Sequence, residues 1–527
     1  MKKTFIITLL LVSIAMQARA GKFLHAQEGK QIKGRYIVLL KDSVGADQVE
    51  AIARGLGREH AGRLVAIMKD GIRGFGIELP EGRARALARH PLVEQVEEDE
   101  EIELAAPLAP FDFASTLARG GPERVKSEWN NCGWAGSYYL CNFADDTYWH
   151  LDRIDNSGLI YPYKAYAYVS TGANVRAYVV DTGVWYDHQE FGQSPRQVGV
   201  DTGNPATTDA ANMMVDPDLD DAPRPGEEPS VAQDYTPADY PCGAYQYTNA
   251  SHGTAVASVL AGKYTGVAKD AKIIPVKIFN CAGQGSKLAM ARGLDWIRQD
   301  MARHSTQRGV VSMSTFINVP TEGSHLCEAG DENAPLVNCV SAVESAINQL
   351  IAANVPVVVS ANNQSNGNCS TSPARLGYGN ESAVPSFHRT ITVGGTMALS
   401  TNNYADQRWT CTLTPGGCTG YPLSGRGSNY GPCVSIYAPA YNIRVAGGTG
   451  PTSYRPAGQN SSGTSFSAPI VAGLIARLLS TPAYSTLTPH QLWLEVRNRA
   501  IGRNVQPADF DPSAVTNTWL AYMSALE

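Results

Sequence analysis

Three side chains in this sequence stand where a reactive group would be well placed. Asp181 directly follows the apolar run Val175-Arg-Ala-Tyr-Val-Val180 and precedes Thr182-Gly183. It therefore sits at the carboxyl end of an expected strand, turned by a glycine toward a neighbouring site. His252, in Ser251-His-Gly-Thr254, opens an expected helix, and Gly253 beside it permits close backbone approach. Ser465, in Ser462-Gly-Thr-Ser-Phe-Ser-Ala-Pro469, starts a long apolar helix. Its hydroxyl lies in the positive field of that helix N-terminus, which favours developing negative charge. A carboxylate, an imidazole and a hydroxyl are side-chain types of nucleophilic catalysis. Each also has a plain structural reading: the Asp as a turn cap, the His as a solvated helix start, the Ser as an N-cap. Ser462 or Thr464 fills that last role equally well.

Those positions need elements to hold them. From about residue 147, short apolar strands alternate with helices. Strands are expected at 175–180, 273–279, 309–315, 355–361 and 390–393, and helices at 253–261, 288–301, 340–353 and 464–479. Such alternation implies an α/β fold whose parallel sheet is covered by helices on both faces. Reactive groups in such sheets gather at the carboxyl ends of the strands. Upstream, residues 34–104 read as a small α+β unit. Its strands are expected at 35–40, 72–79 and 92–96, its helices at 46–56 and 83–88, and the acidic run 97–101 follows the last strand. Residues 105–146 carry little periodicity; Pro107, Pro110 and Gly120-Gly121-Pro122 mark a linker or extended N-terminal arm.

The 527 residues are 43% apolar, ample for a large core. With 17% charged residues, 50 Gly and 31 Pro, the composition is that of a loop-rich globular protein, not a disordered chain. A net charge of −6 and a pI near 6.0 offer no basic surface for nucleic acid. Residues 1–20 carry the three parts of a secretory signal in order: Lys2 and Lys3, the apolar stretch 5–16, and Ala18-Arg19-Ala20. No later stretch is long and apolar enough to span a membrane. An exported protein, extracellular or periplasmic, is therefore expected. Ten cysteines, an even number, argue for disulfides in such a chain, and none is spaced C-x-x-C as a zinc site would favour.

The order of the three residues adds specificity. Asp, then His, then Ser is the chain order of subtilisins, unlike that of chymotrypsins or α/β-hydrolases. Val180-Asp-Thr-Gly-Val184, Ser251-His-Gly-Thr-Ala-Val-Ala257 and Gly463-Thr-Ser-Phe-Ser-Ala-Pro469 resemble the Asp, His and Ser motifs of the subtilases. The proteinase K-like branch is suggested by Gly262-Lys263 with Gly266-Val-Ala-Lys269, by Ser372-Pro-Ala374, by Val393-Gly394 and by Ser428-Asn-Tyr-Gly431. The resemblance implies a subtilisin-like three-layer catalytic domain over 147–527. It also implies a serine endopeptidase acting on extended protein or peptide substrates. Asp181, His252 and Ser465 would be its triad, with Ser465 as nucleophile, His252 as general base and acid, and Asp181 orienting the imidazole. Asn363, at the end of Val357-Val-Val-Ser-Ala-Asn-Asn363, matches the oxyanion-hole Asn; Asn362 stands where Gly is usual. No cofactor is implied for the chemistry. Residues 21–104 resemble the inhibitory propeptide of a zymogen, cut near Leu104 to Ala106 or in the linker before Trp149-His-Leu-Asp-Arg-Ile154. Ten cysteines allow many connectivities; the resemblance implies Cys242–Cys281 and Cys369–Cys433, with Cys132–Cys141, Cys327–Cys339 and Cys411–Cys418 as local pairs.

Several positions depart from the pattern. Ala255 replaces a second His, and Phe466 and Ile470 replace the common Met and His. Met313-Ser-Thr-Phe-Ile317 stands where Ser-Leu-Gly-Gly is usual. Ser314, Thr315 and Phe316 are then the expected substrate edge, with Phe316 and Ile317 reshaping its floor. Met397 occupies a position where an Asp often binds calcium. The insertion 216–228, with Asp216, Asp218, Asp220, Asp221, Glu227 and Glu228, reads first as a solvated loop and alternatively as a structural calcium site. The altered edge at Phe316-Ile317 and Asn362 also motivate a second reading, a catalytically silent secreted binding protein on the same scaffold.

Overall fold

The large unit is organised by β6 (Val175–Asp181), whose seven residues are all buried. Its side chains alternate between two cores: Ala177 and Val179 join one cluster, Tyr178 and Val180 the other. A strand buried on both faces favours apolar residues without polar alternation, and the run meets this apart from its terminal Asp181 and from Arg176, whose buried guanidinium is paired with Asp300. In the computed structural model the described residues are 21–103, 133–134, 139–142, 148–155, 165–184, 188–191, 213–214, 252–279, 284–318, 327–328, 340–367, 371–378, 389–398, 406–408, 410–411, 413–414, 417–418, 426–441, 443–447, 452–454, 462–500 and 520–523.

Among them, β6 is flanked in parallel by β7 (Lys272–Lys277) and β9 (Arg308–Met313). The sheet continues in parallel through β10 (Val357–Ser360), β11 (Ile391–Ala398) and β12 (Ile436–Pro439). Asp406–Arg408 adds an antiparallel edge. Helices α3 (His252–Ala261) and α6 (Thr464–Leu479) cover one face; α4 (Lys287–Arg303) and α5 (Ala342–Ala352) cover the other. The result is the expected three-layer α/β arrangement with a parallel sheet. Helix starts follow local chemistry. Ser286 accepts the Ala289 N–H at the start of α4, and Ser341 with Glu344 forms a capping box on α5. Helix α6 is buried on all sides, as its apolar sequence demands.

The N-terminal unit has β2 (Gln31–Leu40), α1 (Val49–Glu59), β3 (Arg63–Met68), β4 (Gly74–Glu78), α2 (Glu81–Leu87) and β5 (Val93–Glu103). A further strand, β1 (Lys22–Leu24), pairs in parallel with β5. Strand β2 again divides its side chains. Tyr36, Val38 and Leu40 face the unit's own helices, while Ile37 and Leu39 join the core shared with α4 and α5. The sheet thus docks by its apolar face on those two helices.

Three sequence expectations change here. Strand β3 was not anticipated, and the expected strand 72–79 narrows to 74–78. The expected strand 92–96 does not stop before the acidic run 97–101: β5 continues through it, with Glu97, Asp99 and Glu100 buried. Within the expected linker, Gly133–Trp134 pairs antiparallel with Tyr139–Asn142, which also pairs antiparallel with Ala165–Tyr168. The expected signal segment 1–20 and residues 104–132 lie outside the described residues.

Candidate active site

Asp181, His252 and Ser465 come from three separate elements: the end of β6 and the starts of α3 and α6. His252 Nδ1 lies 2.9 Å from both carboxylate oxygens of Asp181. The carboxylate is fixed in turn, because the Thr182 N–H donates to Asp181 Oδ1 at 2.7 Å. Thr182 Oγ1 accepts the Gly253 N–H at 2.9 Å, which ties the start of α3 to the end of β6. Gly253 has no substitute here. A Cβ would sit 2.3 Å from the Gly183 carbonyl and 3.1 Å from Asp181 Oδ1. Lys277 Nζ donates to the Thr182 and Phe279 carbonyls at 2.9 and 2.6 Å, anchoring the turn from the neighbouring strand.

Ser465 is the second residue of α6, so its N–H has no intrahelical partner. The helix start is pinned by the Gly463 N–H, which donates to the Ala440 carbonyl at 2.7 Å. Phe466, next in the chain, places its ring 6.1 Å from that of His252. Pro469 lacks an N–H, so the Ser465 carbonyl loses its intrahelical donor. Ser314 Oγ replaces it, donating to that carbonyl at 2.9 Å.

Asn363 lies beside this helix start. Its Oδ1 accepts from both the N–H and the Oγ1 of Thr464, at 2.9 and 2.8 Å, which leaves Nδ2 as the outward donor. Asn362 adopts φ +80°, the left-handed conformation for which Gly or Asn is suited, so its departure from Gly is conformationally neutral. The following turn is held by Asn429, whose Oδ1 accepts the N–H groups of Gln364 and Asn366.

A model described as "Subtilase family" matches residues 172–512. The chain belongs to the subtilase family. It is 26% identical to the "Extracellular serine proteinase" of Thermus sp. (strain Rt41A), over 91% of this chain and 87% of that protein. It is 27% identical to "Alkaline serine exoprotease A" of Vibrio alginolyticus, over 67% of this chain but only 46% of that protein. The crystal structure of fervidolysin from Fervidobacterium pennivorans, described as a keratinolytic enzyme related to subtilisin, shares the fold. Its TM-score is 0.55 at 19% identity, covering 97% of this chain and 64% of that one. As a subtilase, the chain is a serine endopeptidase of the subtilisin type.

Of the expected substrate residues, Ser314 and Thr315 are buried in this subtilase and Phe316 is partly exposed. Ser314 spends its hydroxyl on the Ser465 backbone. Ile317–Asn318 pairs antiparallel with Thr371–Ser372, so the departures from Gly form a braced edge. A second edge went unnoticed in the sequence. Strand β8 (Gln284–Ser286), just before α4, pairs antiparallel with the end of β5, with Gly285 opposite Ile102. Three residues give too little periodicity to read. The one available signal was Gly285, where a Cβ would lie 2.3 Å from the Ile278 carbonyl.

The acidic run makes several of the N-terminal unit's polar contacts with the subtilase body. Glu97 Oε2 accepts the Ala342 N–H at the start of α5, and Asp99 Oδ1 accepts the Leu288 N–H at the start of α4. Anions at helix N-termini are favourable there. Lys287 Nζ lies 2.9 Å from Glu97 and 3.0 Å from Glu100. Burial would lower its pKa, but the two carboxylates outweigh burial and hold it above its usual value. Burial under the turn 69–72 pushes the Asp295 carboxyl up to about 6, although N–H groups of that turn donate to it.

Among the described residues, no group of three or more His, Cys, Asp or Glu could hold a metal ion, and the acidic insertion 216–228 lies outside them. Cys433 is disulfide-bonded. Its expected partner Cys369, with Cys132, Cys242, Cys281 and Cys339, lies outside the described residues; of Cys141, Cys327, Cys411 and Cys418 only the backbone is described. Among the described residues no helix is long and apolar enough to cross a membrane.

Proposed function

We propose that this subtilase is a secreted endopeptidase of the proteinase K-like branch, made as a zymogen that processes itself. Ser465 Oγ attacks the scissile carbonyl while His252 Nε2 takes its proton, later delivered to the leaving amine. Asp181, accepting from His252 Nδ1, holds the tautomer and stabilises the imidazolium. Asn363 Nδ2 and the Ser465 N–H donate to the developing oxyanion. The observation that carries this reading is the contact of His252 Nδ1 with both Asp181 oxygens at 2.9 Å. It lies beside a helix start that presents Ser465.

Residues 21–104 act as the inhibitory propeptide. The pairing of β5 with β8, just before α4, supports this reading, with the cut near Leu104 to Ala106 or in the linker before Trp149. The expected disulfides and a chemistry that needs no cofactor belong to the same reading, with the insertion 216–228 first a solvated loop and alternatively a structural calcium site. The silent-scaffold alternative gains nothing from Asn362, given its φ of +80°.

The test is the intact mass and N-terminal sequence of wild type beside Ser465→Ala. Wild type should lose roughly its first hundred residues, the span of the N-terminal unit, and the variant should keep them. If both stay full length and a serine-directed phosphonofluoridate does not label the wild type after forced removal of the N-terminal unit, the silent scaffold is the correct reading.

A further inference from the structure

We propose that Glu344 is a positioning residue for extended substrates: from α5 it holds the short strand Thr371–Ser372, which braces the edge 314–317 beside Ser465. The inference rests on the reading of Ser465 as nucleophile.

Glu344 is the third residue of α5 and is buried. A glutamate at this position closes a capping box, and here it does so by accepting the Ser341 N–H at 3.2 Å. That duty needs one oxygen and no burial. The remaining contacts come from about thirty residues downstream. Ser372 Oγ donates to Oε1 at 2.7 Å, Arg375 Nε to Oε1 at 2.6 Å, and Arg375 Nη2 to Oε2 at 2.6 Å. The paired fork of Arg375 fixes orientation as well as distance. Burial acting alone would raise the Glu344 carboxyl; the Arg375 charge and the hydrogen bonds outweigh it and hold the group below its usual value.

The chain of contacts leads to the nucleophile in two further links. Ser372 pairs with Ile317 across the antiparallel ladder. The segment that ends at Ile317 begins at Ser314, whose hydroxyl binds the Ser465 carbonyl. Glu344 touches neither the reacting atoms nor a substrate, so its effect must pass through this edge. Ser465 has other anchors, namely the Gly463 N–H on Ala440 and Thr464 on Asn363. Loosening Thr371–Ser372 therefore disturbs the edge along which a long peptide lies more than it disturbs the hydroxyl.

The test uses enzyme matured from the full chain, an extended peptide amide as substrate and a small phosphonofluoridate as serine probe. In Glu344→Gln, KM should rise about tenfold, the scale of one lost charged hydrogen bond, with kcat and the probe labelling rate within about twofold of wild type. Ser372→Ala removes one donor without stranding a buried charge, and should raise KM by about threefold at near-native thermal stability. Unchanged KM in Ser372→Ala overturns the proposal even if Glu344→Gln fails to fold. So does a fall of kcat and labelling rate in step with KM, which would mark a merely structural role. A wild type that cleaves the peptide without taking label overturns the Ser465 reading, and this proposal with it.

Discussion

The orientation of the Asn363 amide is the most exposed part of the proposed mechanism. An asparagine helps an oxyanion only if Nδ2, not Oδ1, faces the reacting carbonyl. Here Oδ1 accepts two hydrogen bonds from Thr464, at 2.9 and 2.8 Å. A flipped amide would lose the backbone bond and set Nδ2 against the Thr464 N–H, while the Thr464 hydroxyl could turn to accept instead. At about 1 kcal/mol for the lost bond, the observed orientation is favoured by at least roughly 1 kcal/mol. Removing one such donor costs roughly 100- to 1,000-fold in kcat, or about 3–4 kcal/mol, a range known from another subtilisin. Asn363→Ala should therefore lose about 100- to 1,000-fold in kcat with KM little changed. Asn363→Asp should lose more, because one oxygen keeps the Thr464 bonds and the other presents negative charge to the oxyanion. Thr464→Val keeps the backbone donor and removes only the hydroxyl, so its loss should be near tenfold. Steady-state hydrolysis of a peptide nitroanilide, normalised by active-site titration, measures all three. An Asp variant as active as wild type, or an Ala variant within threefold of it, would refute the assignment.

Other positions give equally definite expectations. Gly253→Ala should cut kcat by at least about 100-fold, because its Cβ would meet the Gly183 carbonyl at 2.3 Å and displace the Asp181–His252 pair; a folded variant with full activity contradicts that geometry. Ser314→Ala should destabilise by about 1–3 kcal/mol in denaturant titration, since the Ser465 carbonyl, already deprived of a donor by Pro469, is left unpaired. Adding Pro469→Ala restores an N–H there and should recover part of the loss; no recovery means Ser314 acts otherwise. Asp295 links docking of the N-terminal unit to pH. Its carboxyl is raised from 3.8 to about 6, so the docked form holds a proton that the undocked form releases. This contribution is fully present below pH 4 and is lost as pH rises through 6, at most about 3 kcal/mol. In full-length Ser465→Ala, exchange protection of the 69–72 amides, corrected for intrinsic rate, should fall over that window. Asp295→Asn should flatten the fall, and an unchanged slope refutes the linkage.

What could be read in the sequence depended on how local the physics was. Helix α6 matches its expected span because an all-apolar run with Gly463 before it needs no partner to be recognised. Asp181, His252 and Ser465 were legible for a related reason: each ends or begins an element whose own sequence defines the boundary. Strand β8 and the bracing strand Thr371–Ser372 are two or three residues long, and no period can be read from so few. Glu344 looks like an ordinary capping residue until Ser372 and Arg375 fold back onto it.

The acidic run is the clearest case of tertiary context overriding a sequence signal. The last strand is expected from the sequence to end at 96, before the five consecutive acids 97–101, and a buried unpaired carboxylate is costly. They form strand nonetheless, because the fold supplies partners of several kinds. Two are helix N-termini, reached by Glu97 and Asp99. One is the Lys287 ammonium, and another is Arg35, whose Nε lies 2.6 Å from Asp99. Burial still pushes the Asp99 carboxyl up, against the pull of Arg35 and the Leu288 N–H. These partners are split between the two units: Arg35 is in the N-terminal sheet, whereas Lys287, Leu288 and Ala342 are in the subtilase body. Separating the units hence removes the reason for the acids to be buried. Glu97 and Glu100 then lose the Lys287 ammonium and keep uncharged partners of their own unit, the Gln95 amide and the Gln27 N–H. The run thus specifies docking, because only the docked arrangement supplies partners from both units.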